Sequence, residues 1–457
     1  MSNSAGNHLS GDALAAEQVS LRPSSLQLWV PFTVFFLLMQ GVGWIPETLL
    51  KIPALYSVSL GELSLALAVL LNWRAVFGRL AKARSRTAID VLLLVILAGV
   101  CLNMVRNVFD GYPLLVVLGN ARRMFYYLFF FILVASIHDR RSLVKAINIF
   151  TVLFMVGAVS YLVTAIWKVP LASTVSDFAP GDDRQRIYHV IFQMAVVVGF
   201  VHFALPLTGV RQRFGVPSWA AFITASLLVY FSYYRTYYFT YPLGLLVIAA
   251  AAGRARVGAL LRIGAMAIVV LGALALTGAM DATMDRLRST GDEVSELSGT
   301  FASRIIIWKV RYDTIASINP LFGAGFIWDH DPDRTVEEVV LDPLIPANDN
   351  GYAAALVVLG FVGIGLFVLL YLVAFWVAVS HLRGHPPALE RALSIALLGL
   401  GLYVLVNSIG LDNFCWLFAV LPNSALLGIV NAAVLLGRKR AAWGQGPGPR
   451  VAGSLAP

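Results

Sequence analysis

Twelve runs of apolar residues divide this chain, and most are long enough for a helix to cross a lipid bilayer. They fall at about 27–46, 55–73, 89–107, 121–137, 146–167, 188–207, 217–234, 236–252, 257–279, 352–379, 391–410 and 414–436. A spanning helix needs about 20 predominantly apolar residues. Without water in the hydrocarbon core, only structures that satisfy every backbone N–H and C=O internally can span it. The pattern therefore predicts an all-α, polytopic integral membrane protein of about 12 transmembrane helices. Composition supports this: 59% of the 457 residues are hydrophobic and 13% charged, too little polar surface for a water-facing globule. Cys101 and Cys415 lie in apolar runs and read as buried small hydrophobes. The first run is too long for a cleaved signal and lacks a basic segment before it.

The net charge of +9 would suit nucleic acid in a soluble protein; here its distribution gives it another meaning. With both termini placed in the cytoplasm, 20 of the 34 Lys and Arg fall in inside tails and loops. The short inside loops carry almost no acid beyond Asp139 and Glu390. That is the positive-inside pattern, obeyed loop by loop, and no nucleic-acid partner is implied. The expected organisation is a cytoplasmic tail 1–26, transmembrane helices 1–9 over 27–279, and a large extracytoplasmic loop 280–351 between helices 9 and 10. Transmembrane helices 10–12 over 352–436 and a cytoplasmic tail 437–457 complete it.

The loop 280–351 holds 13 of the 25 acidic residues against six basic ones. It contains Trp308, Tyr312, Phe322, Phe326 and Trp328, so it reads as a folded cap rather than a linker. Within it, Phe301, Ile305, Trp308, Tyr312 and Ile315 recur at spacings of 3 or 4 and predict a helix over 300–318 with one apolar stripe. Arg304, Trp308 and Arg311 follow at i, i+4 and i+7 on its flank. Asn319-Pro320 stops the helix. Two glycines in Leu321-Phe322-Gly323-Ala324-Gly325-Phe326 permit a tight turn and a close backbone approach to a ligand. An amphipathic helix lying on the membrane would explain the same helix without a site.

Arginine recurs where it is costly. Arg235 stands between two spans among tyrosines that include Tyr234 and Tyr237; Arg184 and Arg186 precede the sixth span; Arg122 and Arg123 begin the fourth. On the expected topology all face outward with Arg304. Ionisable groups at membrane depth are candidates for function, and a guanidinium fork suits a phosphate or pyrophosphate headgroup. For Arg122 and Arg123, snorkelling to the interface explains the pair equally simply. Asp329-His330-Asp331-Pro332-Asp333 lacks the glycine and the distal glutamate of a calcium loop, and reads as a solvated acidic segment with no metal. His330 and His189 are candidate general bases, His330 the more interesting because it lies in the cap. Asp349, at the mouth of the tenth span, reads either as that helix's N-cap or as a proton acceptor. Glu62 stands out as a mid-span acid.

The segment SRIIIWKVRYDTIASINPLFGAGF, followed by ANDNGYAAALVVLGFVGIGLF, resembles the O-antigen ligase/O-antigen polymerase (Wzy-like) family. The resemblance rests on Arg304 and Trp308 in one helix, the Asn319–Gly325 turn, and Asp349-Asn350-Gly351-Tyr352 with Gly360 and Gly363 opening the next span. Arg235 in a short hairpin ahead of the large loop fits the same layout. It implies a GT-C-like, metal-independent and cofactor-free glycosyltransferase in the bacterial inner membrane. Such an enzyme takes a glycan from an undecaprenyl-pyrophosphate carrier on the periplasmic face, and its partners would include a flippase and a chain-length regulator. Arg235, Arg304, Arg186 and Arg311 are then expected at the pyrophosphate, and Trp308, Tyr234, Tyr237, Asn350 and Tyr352 at the glycan. Asp349 or His330 would be the base. Ligases of the family place a histidine before the asparagine; here Asp349 precedes Asn350, which points to a polymerase rather than a ligase. A multi-pass transporter is the contrasting reading, and would call for discontinuous helices or mid-span carboxylates.

Overall fold

A computed structural model describes residues 26–39, 51–52, 58–82, 86–167, 176–177, 186–187, 190–210, 215–232, 234–253, 299–327, 342, 344 and 350–444. The fold is all-α and polytopic. The helices are α1 (Leu26–Leu38), α2 (Leu60–Leu71), α3 (Trp73–Ala81), α4 (Ala88–Phe109), α5 (Leu114–Ala121), α6 (Leu128–Ser136) and α7 (Arg140–Trp167). They continue with α8 (Val190–Leu207), α9 (Ser218–Phe231), α10 (Arg235–Ala252), α11 (Gly299–Ile318), α12 (Gly351–Arg383), α13 (Ala388–Asn407) and α14 (Leu417–Gly444). Two tiny antiparallel ladders accompany them: Lys51–Ile52 with Val58–Ser59, and Ser176–Asp177 with Arg186–Ile187.

Six of these segments are long and apolar enough to cross a membrane, α5 and α6 counting together as Leu114–Ser136. The pair α2 and α3, bent by 57°, would make a seventh, and four shorter apolar helices lie at Leu28–Leu38, Ile191–Leu207, Ser218–Tyr230 and Thr236–Ala252. Eleven of the twelve apolar runs overlap one of these helices; the run 257–279 lies outside the described residues. The centre of the bundle is α8, α13 and α14. Every residue from Ile191 to Leu205 is buried, and α14 is buried over almost all of its apolar length. The outer helices keep apolar faces exposed, among them Leu102, Val105 and Phe109 of α4, as a lipid-facing surface requires.

Three details differ from the sequence expectation. The fourth span starts at Leu114 rather than 121, so Arg122 and Arg123 sit within it, in a 3₁₀ stretch Arg122–Tyr127 that breaks the α-helix. Glu62 is not mid-span: it is the third residue of α2, in a capping box with Ser59. There it accepts from the Tyr126 hydroxyl at 2.6 Å and pairs with Arg122 at 3.4 Å. An apolar run conceals such a start because the hairpin before α2 is itself apolar. Cys101 is exposed rather than buried, on the outward side of α4.

The helix that follows the cap has a defect that organises one end of the bundle. At Gly360, α12 leaves helical geometry (φ 65°, ψ −159°), so Phe361 and Val362 lose their helical acceptors Val357 and Val358. The turn after α11 replaces them. Phe361 N–H donates to Pro320 O at 2.9 Å and Val362 N–H to Leu321 O at 3.1 Å. In return Val357 O accepts from Ala324 N–H (2.8 Å) and Gly325 N–H (3.1 Å), and Val358 O accepts from Asn103 Nδ2 at 2.8 Å. Gly323 has φ 71°, and a Cβ there would stand 2.5 Å from Val357 O and 2.7 Å from Gly360 N. Gly323 thus allows a close approach to the α12 backbone, and Gly325 to the Asn107 side chain.

Substituting Gly360 by Ala should therefore strain a positive φ and press the new methyl against Leu321. We expect a loss of about 2–4 kcal/mol, read as a lowered thermal midpoint in detergent. Gly365→Ala, five residues on in the same helix and facing open space, should change stability by under about 1 kcal/mol.

Candidate functional site

The docked turn is held by amides from α4 and α5. Asn103 Nδ2 also donates to Phe322 O, and Arg106 Nη2 donates to Gly323 O, both at 2.8 Å. Asn107 clamps both sides of the turn: its Nδ2 donates to Ala324 O at 2.9 Å and its Oδ1 accepts from Phe326 N–H at 2.8 Å. Asn120 Nδ2 reaches Phe326 O at 3.2 Å. Asn103, Arg106 and Asn107 at i, i+3 and i+4 near the end of an apolar run were the signal in the sequence for this contact. The reading of 89–107 as a plain span passed over them.

This clamp fixes α11 against the first turns of α12. Ile315, Ala324, Leu356 and Val357 form a small buried cluster. The inward face of α11 carries Trp308, Arg311 and Ile315, of which Arg311 and Ile315 are 3% and 0% exposed, whereas Ile305 and Tyr312 are exposed. The buried stripe is thus rotated from the predicted one, and Arg311 belongs to it. Position 304 precedes Arg311 by two helical turns, so it lies on the same side. Trp308 Nε1 is buried with no hydrogen-bond partner among the described residues.

The entry of α12 is tied to the turn between α13 and α14. Gly351 N–H donates to Ser408 O and Leu411 O. Asn350 is the N-cap: its Oδ1 accepts from Ala353 N–H at 2.8 Å, and its Nδ2 donates to Ile409 O at 3.2 Å. The cap role open to Asp349 is therefore filled by its neighbour. The Tyr352 hydroxyl donates to Leu405 O at 2.7 Å, and its ring meets Phe414 edge-on.

A neutral polar network runs on from this turn into the bundle. Asn407 Nδ2 donates to the Tyr403 hydroxyl (3.1 Å), which donates to Gln193 Oε1 (3.0 Å). Gln193 also accepts from Tyr237 (3.4 Å) and donates to Asn423 Oδ1 (2.9 Å). Thr240 joins through Asn407 at 3.2 Å. Tyr237 is 3% exposed and packs at 5.3 Å on Tyr234. Tyr234, Tyr237, Asn350 and Tyr352 are thus gathered at one end of the bundle, with Arg235 opening α10 beside them. The hydroxyls of Tyr237 and Tyr352 and the Asn350 amide are engaged within the protein, and Tyr237 and Asn350 are buried. The side chains of Arg186, Arg235 and Arg304 lie outside the described residues, as do His189, His330, Asp349 and the acidic run 329–333.

One carboxylate at this end was not singled out from the sequence. Asp412 is 2% exposed, and its Oδ1 accepts from Phe414 N–H (2.9 Å) and Cys415 N–H (2.8 Å). Arg123 lies within electrostatic reach of it, and the Tyr127 hydroxyl donates to Phe414 O at 2.9 Å, joining the 3₁₀ stretch to the same turn. Its sequence signal was a charged residue between two apolar runs. Among the described residues no three of His, Cys, Asp and Glu converge as metal ligands would.

Residues 220–368, about a third of the chain, match the family model whose description is O-antigen ligase (Wzy_C). The matched segment contains the tyrosine hairpin, α11, the glycine turn and the break in α12. The resemblance seen in the motifs is thus to an O-antigen ligase/Wzy-like family, whose members are membrane glycosyltransferase-like enzymes. No curated protein sequence matches the chain.

Asp412→Asn keeps an acceptor for both backbone amides and loses the charge that faces Arg123, so it should destabilise less than Asp412→Ala. Asp412→Ala strands two buried N–H groups and should cost about 2–4 kcal/mol. Thermal denaturation of the two purified variants separates these outcomes.

Proposed function

We propose that this chain is a polysaccharide polymerase of the inner membrane. It would transfer a glycan from an undecaprenyl-pyrophosphate carrier to a hydroxyl of another lipid-linked repeat unit on the periplasmic face. The observation that supports a glycosyltransferase of this family is the match over 220–368, a segment that includes both Arg235 and Arg304; the choice of polymerase rests on Asp349. The reading takes 12 spans, both termini cytoplasmic, and 280–351 as the periplasmic cap.

The chemistry follows from the residues assigned. The bond between the anomeric carbon and the carrier's phosphate oxygen breaks, and the acceptor oxygen attacks the opposite face of that carbon, inverting it. Negative charge grows on the departing pyrophosphate. Arg235, Arg304, Arg186 and the buried Arg311 supply fixed positive charge there, doing electrostatically what a metal ion does elsewhere. Trp308 offers a ring face to the sugar and an indole N–H donor. The acceptor's proton goes to Asp349 or to His330. Asp349 is favoured because Asn350 caps α12, which leaves Asp349 without that structural duty. The products are a glycan longer by one transfer and free undecaprenyl pyrophosphate.

A ligase acting on lipid A-core is the second reading, favoured by the description of the matching family. The presence of Asp349 where ligases place histidine favours the polymerase.

In a host strain deleted for the gene, Arg235→Ala and Arg304→Ala should each abolish long-chain polysaccharide while the protein still inserts. Asp349→Asn should lower the rate by about two to four orders of magnitude. Gel profiles of extracted polysaccharide, with an immunoblot of the membrane fraction, measure both. Normal chain length in both arginine variants refutes the assignment. In proteoliposomes, polymer made from lipid-linked repeat units alone supports the polymerase, and transfer only when lipid A-core is added supports the ligase.

A further inference from the structure

We propose that α3 is a binding site for anionic phospholipid headgroups, at the end of the bundle opposite the site above. The chain bends by 57° between α2 and α3, which turns α3 out of the direction of its span. The bend is held from below. Arg79 on α3 grips Asp90 through two hydrogen bonds, 2.6 and 3.3 Å, and Asp90 is fully buried. Asp90 also accepts from Thr87 N–H (2.6 Å) and from Asn431 Nδ2 (3.2 Å). A buried carboxylate with this many donors does not release its arginine cheaply. So α3 is a fixed element, tied to both α4 and α14.

Its nine residues divide into three sectors. Val76 and Leu80 face the protein, 1% and 8% exposed. Beside them Trp73 and Phe77, at i and i+4, are 54% and 42% exposed, where indole and phenyl rings anchor at a membrane interface. On the far flank Arg74 and Gly78 follow at i and i+4, and Lys82 is the extended residue that caps the helix just beyond its nine; all three are exposed. A Cβ on Gly78 would meet nothing within 4 Å, so no side chain covers the surface between the two cations. Arg74 lies 5.6 Å from the Trp73 ring centre, which holds the guanidinium at the level of the anchor. Arg79 spends its charge on Asp90. Arg74 and Lys82 make no ion pair with an acidic side chain among the described residues.

An apolar anchor beside two exposed cations that make no ion pair among the described residues matches the acyl boundary and charged headgroup of an anionic lipid. A zwitterionic headgroup offers no net charge to the same row. The proposal does not depend on the catalytic reading: the site lies at the other end of the bundle, and its test uses no activity.

The test is retention of phosphatidylglycerol by the purified protein, counted by native mass spectrometry after exchange into phosphatidylcholine micelles doped with phosphatidylglycerol. The thermal midpoint is measured in parallel. Each cation removed should weaken retention about five-fold, so Arg74→Gln/Lys82→Gln should lose most of the bound phosphatidylglycerol and most of its thermal shift. The charge-preserving Arg74→Lys/Lys82→Arg should keep both. Arg391→Gln, an exposed cation on α13, should behave as the parent protein. Equal retention by the double Gln variant overturns the proposal. So does an equal loss in Arg391→Gln, which would show a diffuse field in place of a site.

Discussion

A polar backbone group in the interior of a membrane protein must be satisfied by the protein itself, and at Gly360 two helical hydrogen bonds are given up. Phe361 and Val362 donate to Pro320 and Leu321; Val357 and Val358 accept from the Ala324–Gly325 turn and from Asn103. Each unsatisfied group would cost several kcal/mol in such a setting, so the break in α12 and the turn after α11 cannot exist separately. Everything at that end follows from the exchange. The position of α11 is set by the turn, the turn by Asn103, Arg106 and Asn107, and those residues by the packing of α4 on α12.

The placement of charge obeys a related economy. Glu62, Asp90 and Glu390 are each the third residue of a helix, where free N–H groups and the positive end of the helix dipole favour a carboxylate. Asp412 likewise faces backbone amides of a turn. Among the described residues, no apolar helix carries an acid beyond its first turn. The transporter reading called for mid-span carboxylates, and the one such candidate in the sequence, Glu62, caps a helix instead. The polar groups that do reach the core beside Gln193 are amides and phenols. They pair with one another without any charge to desolvate.

The spans were legible because their signal is collective: twenty apolar residues survive any local error. What the sequence concealed was pairwise. Gly323 and Gly360 were visible as glycines, but not as two halves of one contact, because their complementarity is of backbone atoms that every residue shares. Arg122 and Arg123 looked like the start of a span because two adjacent cations read as an interface, although α5 before them is itself apolar. Glu62 looked mid-span because the hairpin ahead of α2 continues the apolar run. The site was partly legible for the opposite reason. Arginine and tryptophan are rare enough in such a chain that their spacing on α11 points to a face, although Arg311 turned out to be buried within it.

Asn350 shows how a structural assignment can sharpen a chemical one. A carboxylate before a helix is ordinarily explained by capping, and while that explanation stands, Asp349 needs no other. The cap is made by the next residue, whose Oδ1 accepts from Ala353 and whose Nδ2 closes onto Ile409. The N-cap of α12 is Asn350. Gly351 is stitched as well to Ser408 and Leu411, so the helix entry is rigid from Asn350 onward. In the proposed reaction, Asp349, the residue before that cap, is then the candidate to take the acceptor's proton. The histidine of the ligases and the aspartate of this chain would then serve one position with different acids. The choice between them bears on the acceptor rather than on the donor, because it is the acceptor's hydroxyl that the base must reach.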